Sequence, residues 1–447
     1  RNLADDVELR PMSPFYRIRF DDGQLFDYSG DAEVNKRQIA AFAPDDVAGY
    51  ERYMAASKAV FRVGFEQLGD VPFSSWRDMA RIVPDMLRLR SHRSVYSMVA
   101  SYVRHPRLRE VLSFHPLLIG GNPFSVTSIY SLISHLERQW GVHSAIGGTG
   151  RIVDGMVDLI EGQGNQLCLN TAVAEILVDN GTATGVRLAS GEALAADVVV
   201  SNADAAWTYK NLLPAHSRRR WTDRKIERAR YSNGLFVWYF GTRRRYADVP
   251  HHTIMLGPRY RELLEDIFRR KLLAKDFSLY LHRPTATDPA LAPPGCDTFY
   301  ALSPVPHLGG DVDWQTQAEP YRAAIEQHLA RTMLPALGDA IVSSRVTTPL
   351  DFRDRLSSFQ GAGFSFVHLL AHMSGSAFAE RIRSGDVGFS TLAESFRVED
   401  FLPGTHDLDE GLSRKAFLLQ YGSLQDGRFH RRIATIHERI RSLPARR

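Results

Sequence analysis

Four places in this chain have residue types and spacing that could do chemistry. Arg77-Asp78 sets a fixed cation beside a carboxylate, a polar pair that could bridge two helices or stand exposed. Glu262, in Arg259-Tyr260-Arg261-Glu262, is a second candidate carboxylate with the same two readings. His251-His252 offers metal-ligating side chains, but no carboxylate or cysteine stands with them at ligand spacing, so no metal is expected. Gly147-Gly148-Thr149-Gly150 is a glycine turn at the head of an amphipathic segment, where backbone N–H groups can face a ligand.

The elements that must position these residues follow from pattern. Residues 147–204 read as a glycine turn, a helix, a strand, a hairpin across Asn180-Gly181 and a buried strand at Val198-Val199-Val200. In a doubly wound sheet a dinucleotide lies across the carboxyl ends of the strands. Val173, where a strand enters the hairpin, could then offer main-chain groups to an adenine ring. The same order of elements also occurs without any nucleotide.

Upstream, residues 14–28 alternate about Asp21-Asp22-Gly23 as a hairpin, and Pro44-Asp45 opens a helix to about Phe65. Residues 76–140 read as mostly helical, broken at Ile119-Gly120-Gly121-Asn122-Pro123. Downstream, residues 235–240, 277–281 and 298–302 read as strands of an antiparallel sheet, and 317–336 as a helix. Residues 235–240 and Phe299-Tyr300 suit a core or the lining of an apolar tunnel. A final helix carries Phe429, Ile433, Ile436, Ile440 and Leu443 on one face.

Composition excludes several classes. A chain of 447 residues can bury a large core and hold two domains. No run is long and apolar enough to span a membrane. Cys168 and Cys296 are too few for a disulfide framework or a zinc site. The net charge of +4 is mildly basic, yet no nucleic-acid-binding signature accompanies it. Arg88, Arg90 and Arg93 are interleaved with Met86, Leu87 and Leu89, a pattern suited to an anionic lipid surface or to plain solvated charge. Arg218-Arg219-Arg220 and Arg243-Arg244-Arg245 are further basic clusters.

Trp140-Gly141-Val142, followed by the glycine turn and its helix, is similar to the flavin amine oxidase and carotene desaturase superfamily. Other strings narrow the resemblance: Pro14-Phe15-Tyr16-Arg17, Val71-Pro72-Phe73, Arg77-Asp78-Met79, Arg93-Ser94-Val95-Tyr96-Ser97, Gly120-Gly121-Asn122-Pro123-Phe124, Val200-Ser201-Asn202-Ala203-Asp204, His251-His252-Thr253, residues 257–263 and Asp351-Phe352-Arg353-Asp354. In this order, over about residues 7–366, they resemble a bacterial-type phytoene desaturase, a carotenoid desaturase.

The resemblance implies an α/β flavoprotein with a Rossmann-like FAD-binding domain, incomplete here, and a substrate domain of antiparallel sheet plus helices. The expected division is 1–140, first part of the substrate domain; 141–210, second half of the FAD domain; 211–366, second part of the substrate domain; and 367–447, a segment outside the family pattern. The family's opening Gly-x-Gly-x-x-Gly loop and its closing Gly-Ala-Gly-Thr-His segment are not in this sequence. The expectation is therefore a chain truncated at its N-terminus and divergent at its C-terminus, holding FAD weakly or not at all.

The implied reaction is FAD-dependent desaturation of phytoene to lycopene or intermediate carotenes, by hydride transfer to flavin and proton loss. Arg77, Asp78 and Glu262 are the implied catalytic residues. Gly147, Gly148, Val173 and Asn202 are the implied cofactor contacts. A long apolar polyene as substrate implies a cytoplasmic protein peripherally associated with a membrane surface, with no nucleic-acid partner. The rivals are a related flavin oxidase of amines or porphyrinogens, which needs a more polar pocket, and a non-catalytic truncated remnant.

Overall fold

The computed structural model describes residues 6–69, 76–218 and 221–361, with residues 76–79 in backbone only. The expected C-terminal helix and the whole 367–447 segment lie outside the described residues. The strands are β1 (Leu9–Pro11), β2 (Tyr16–Arg19), β3 (Leu25–Tyr28), β4 (His143–Ala145), β5 (Val173–Asp179), β6 (Thr182–Leu188), β7 (Ala193–Ala195), β8 (Gly234–Thr242), β9 (His252–Met255), β10 (Leu279–His282), β11 (Asp297–Val305) and β12 (Ile341–Thr347). The helices used below are α1 (Ala32–Phe42), α2 (Val47–Phe61), α3 (Trp76–Arg88), α4 (Pro106–Ser113), α5 (Leu132–Trp140), α6 (Gly150–Gly162), α7 (Tyr260–Glu265) and α8 (Trp314–Thr332).

One seven-stranded sheet runs in the order β12-β8-β11-β10-β9-β2-β3. It joins the expected hairpin, β2–β3, to strands more than 200 residues downstream. All its pairs are antiparallel except β2 with β9, which is parallel because β2 enters from a distant part of the chain. Alternate residues face opposite sides of a sheet, so two layers form. On one side Phe236, Trp238, Phe240, Phe299, Ala301 and Leu281 pack with Trp314, Tyr321, Ile325 and Leu329 of α8. On the other side, over β2, β3 and β9, Ile18, Phe26, Tyr28 and Ile254 meet Tyr50 and Tyr53 of α2, Leu108 and Leu112 of α4 and Phe114.

Asp46 anchors α2 against the chain entering α4. Its carboxylate accepts the N–H groups of Arg104 at 2.8 Å and His105 at 2.7 Å. The expected break at 119–123 is present, with Gly120 at φ +72° in the turn.

Residues 141–204 follow the expected order with one correction. The glycine turn leads into α6, and β5, β6 and β7 make a separate three-stranded sheet. The hairpin turns on Asn180 and Gly181, both at positive φ as such two-residue turns require. Val198-Val199-Val200, however, is not a strand and not buried: Val198 is 48% and Val200 66% exposed. A strand exists only with a pairing partner, and none reaches this run among the described residues. Met156, Leu159 and Leu169 in the same block are also exposed.

Candidate active site

The register of the large sheet sets one line of side chains across it. Directly opposed residues of neighbouring strands share a face. Arg345 opposes Tyr239, Tyr239 opposes Tyr300, Tyr300 opposes His282, and His282 opposes His252. Tyr16 lies beside His252, with ring centroids 5.7 Å apart, and opposes Tyr28. The next line, Val237, Leu302, Tyr280 and Ile254, is apolar apart from one hydroxyl. Tyr239 sits in an otherwise buried strand, yet its ring is 44% exposed. It thus marks where the helices leave this face of the sheet open.

The row is electrically neutral along its length. Burial raises the Tyr239, Tyr280 and Tyr300 hydroxyls above the ordinary phenol value, so they stay protonated. Burial, aided by mutual repulsion and by Arg283, lowers His251 to about 4, His252 to about 2 and His282 to about 3, so they stay uncharged. Acidic and basic side chains stand at its two ends. Arg345 stands at one edge. At the other, the Tyr16 hydroxyl donates to buried Glu137 at 2.8 Å, and His115 Nε2 lies 3.1 Å from the second oxygen of Glu137. Burial first, then Glu137, raises the Tyr16 hydroxyl far above its usual value.

The expected site residues fall in different places. Arg77 and Asp78 lie on the backbone of α3, and their side chains lie outside the described residues. Glu262 is exposed on α7, and no hydrogen bond or ion pair joins it to the row. Its neighbour Arg261 lies over the Phe124 ring at 3.9 Å. Gly147 and Gly148 take φ +82° and +87° ahead of α6. A side chain at Gly150 would meet nothing within 4 Å, and one at Gly148 only Leu291 at 3.9 Å, so this helix start is open to a ligand. Val173 is the first residue of β5, and Asn202 is exposed beyond β7.

The glycine turn and the aromatic row are linked. The Gly147 N–H donates to Asp288 Oδ2 at 2.8 Å, and the preceding residue, Thr287, contacts His251 at 2.6 Å. Sequence reasoning found His251-His252 and singled out residues 235–240 and Phe299-Tyr300 as core or tunnel lining, but it did not find His282, Tyr280 or Glu137. The alternation of Tyr280 and His282 with core residues along β10 was the available signal. The three imidazoles His251, His252 and His282 converge, with one nitrogen of each within 4.8 Å of the others.

Comparison with known proteins places the chain. The family described as flavin containing amine oxidoreductase matches residues 1–389, beyond the point near 366 where divergence was expected. A neurosporene-forming phytoene desaturase of Cereibacter sphaeroides is 52% identical over 370 residues, covering 82% of this chain and 71% of that protein. A lycopene-forming phytoene desaturase of Pseudescherichia vulneris is 46% identical over 371 residues, covering 83% and 75%. Among solved structures, a triple mutant of putrescine oxidase shares the fold with a TM-score of 0.52 at 14% identity, over 83% of this chain and 75% of that one. The expected α/β flavoprotein fold agrees with these matches, and they support FAD as the cofactor. An open face of neutral aromatic side chains, a glycine turn beside it and these relatives lead to one assignment: the chain belongs to the flavin-containing amine oxidoreductases, in the group of the phytoene desaturases.

Proposed function

We propose that this protein desaturates phytoene, with FAD as oxidant, to lycopene or to a partly desaturated carotene. The observation that carries the reading is the neutral aromatic row on the open side of the seven-stranded sheet. A polyene has no hydrogen-bonding groups, so its binding rests on apolar and ring contact. Tyr239, Tyr300 and Leu302 offer both without placing a charge under the chain. Ring faces also stabilise a developing cation, on the order of 1–2 kcal/mol when water is excluded.

Gly147, Gly148, Val173 and Asn202 are the residues we assign to holding the flavin. The open start of α6 and the strand entry at Val173 suit that role. When bound, the flavin supplies the two-electron oxidation by accepting a hydride from an allylic carbon. The protein's part is to align the polyene, exclude water and take the proton from the neighbouring carbon. Arg77, Asp78 and Glu262 stay candidates for assisting that proton loss. Within this reading, 1–140 and 211–366 serve the substrate and 141–210 the flavin.

We place the membrane-facing surface at the end of α3. Val83 and Leu87 are exposed there, 44% and 60%, beside Arg88, Arg90 and Arg93. Arg88 pairs with Asp85 at 2.8 Å, but both are exposed and such a pair contributes little. The row itself is tested by Tyr300→Asp, which sets a charge under the proposed polyene. Flavin content should be unchanged and carotene desaturation should fall at least about tenfold, the cost of burying an unpaired charge. Undiminished turnover would remove the row from the substrate site.

A further inference from the structure

Three imidazoles of different origin meet at one point of the row. His251 precedes β9, His252 opens β9 and His282 closes β10. His251 Nε2 lies 2.9 Å from His282 Nε2, and His251 Nδ1 lies 2.6 Å from Thr287 Oγ1. His252 Nδ1 lies 2.6 Å from the Tyr280 hydroxyl. His282 Nδ1 is buried and has no hydrogen-bond partner among the described residues.

The hydrogen bonds order the protons. The Thr287 hydroxyl donates towards the Met12 sulfur at 3.6 Å, which leaves Oγ1 to accept from His251 Nδ1–H. His251 Nε2 is then bare and must accept from His282 Nε2–H. His282 Nδ1 is left as an unpaired, unprotonated nitrogen. The reverse order would bury an unsatisfied N–H at that position instead, the costlier orphan. A metal is disfavoured at the same spot. The cluster has no anionic ligand, and the adjacent Arg283 already lowers the proton affinity of His251 by its charge.

We propose that His282, His251 and Thr287 form a proton relay that takes the proton lost from the polyene and delivers it to solvent beside the Gly147 turn. This rests on the desaturase reading. A bound flavin would supply the oxidation, taking a hydride with its electron pair from an allylic carbon. The neighbouring C–H bond breaks, its electron pair becomes the new C=C bond, and its proton goes to His282 Nδ1. The Nε2 proton of His282 passes to His251 Nε2. The Nδ1 proton of His251 passes to Thr287 Oγ1 as the hydroxyl's own proton turns away from the Met12 sulfur and leaves to water at this half-buried position. A cationic polyene is a strong acid, so a weak base suffices to deprotonate it. Burial keeps the acceptor free of protons throughout the physiological range and adds no repelling charge. The Tyr300 ring, its centroid 4.5 Å from that of His282, stays in contact with the polyene and turns to open His282 Nδ1 to it. His282 is the catalytic residue here; His251 and Thr287 are positioning residues.

The experiment uses flavin-loaded protein with phytoene in phosphatidylcholine vesicles, comparing the parent with His282→Gln and Thr287→Val. In His282→Gln, flavin absorbance should persist while desaturation falls about 10²-fold or more, the usual share of a proton-transfer group. The stranded cation should also give new products, a water adduct or a displaced double bond, visible by chromatography with mass detection. In Thr287→Val, which keeps the side-chain shape, the rate should fall less and its solvent deuterium isotope effect should change. Nitrogen-15 NMR of histidine-labelled parent should show His282 Nδ1 unprotonated, a readout that needs no turnover. An unaltered rate and product set in His282→Gln, or a protonated Nδ1, overturns the relay. Stoichiometric metal in the parent that disappears in His282→Gln overturns it in favour of a metal centre. A parent that binds flavin but makes no desaturated carotene overturns the desaturase reading and the relay with it.

Discussion

Histidines held uncharged by burial make the residue-scale energetics depend on pH. In an unfolded chain they titrate near 6.5; in the folded protein they sit at about 4, 2 and 3 for His251, His252 and His282. Below about pH 6.5 the unfolded state therefore binds more protons than the folded one, and stability falls as pH drops. The contribution is complete above pH 6.5 and is lost progressively down to the folded values. Urea midpoints between about pH 7 and 5 should fall in the parent and fall less in His252→Phe, which removes one such group. A flat midpoint in the parent would mean that the imidazoles are hydrated and not held neutral. These residues were only half legible in the sequence. His251-His252 stood out as a pair, but His282 stands 30 positions away from His252, and only strand pairing brings them level. Glu137 and Tyr16, 121 residues apart, gave no joint signal at all.

At the scale of elements, the start of β11, an interior strand of the sheet, is fixed by one buried network. Asp297 takes Arg283 Nε at 3.0 Å, the Tyr246 N–H at 2.7 Å and the Thr285 hydroxyl at 2.8 Å, with both charges buried. Removing one partner leaves the other charge uncompensated, which typically costs about 3–5 kcal/mol. Asp297→Ala should therefore lower the denaturant midpoint sharply, whereas Asp354→Ala, an exposed pair with Arg353, should leave it nearly unchanged. Equal effects would show that the Asp297 network is solvated. Most elements were readable because they rest on local pattern: the 14–28 hairpin, the helix after Pro44, the alternating strands and the hairpin at Asn180-Gly181. Val198-Val199-Val200 failed because its β-branched residues express a tendency that only a neighbouring strand can realise. The parallel pairing of β2 with β9 was equally beyond local pattern, since it depends on where a distant segment returns.

At the scale of the whole molecule, no helix among the described residues is long and apolar enough to cross a membrane. On the proposed function, a water-insoluble substrate would bring the protein to a lipid surface. Arg88, Arg90 and Arg93 together should contribute on the order of 1 kcal/mol each towards anionic lipid. Flotation with phosphatidylserine vesicles should be lost in the triple change of these arginines to Gln and in the parent at high salt. A triple variant that floats as the parent does would move the docking surface elsewhere.

On the proposed function, the open aromatic face serves a polyene and not an amine. The most direct measurement of this is an anaerobic titration of the flavin-loaded protein, followed by flavin absorbance and by carotene analysis of the same sample. Phytoene should bleach the flavin in proportion to the desaturated carotene formed, and putrescine should leave the absorbance unchanged. Bleaching by putrescine, with phytoene recovered intact, would contradict the account.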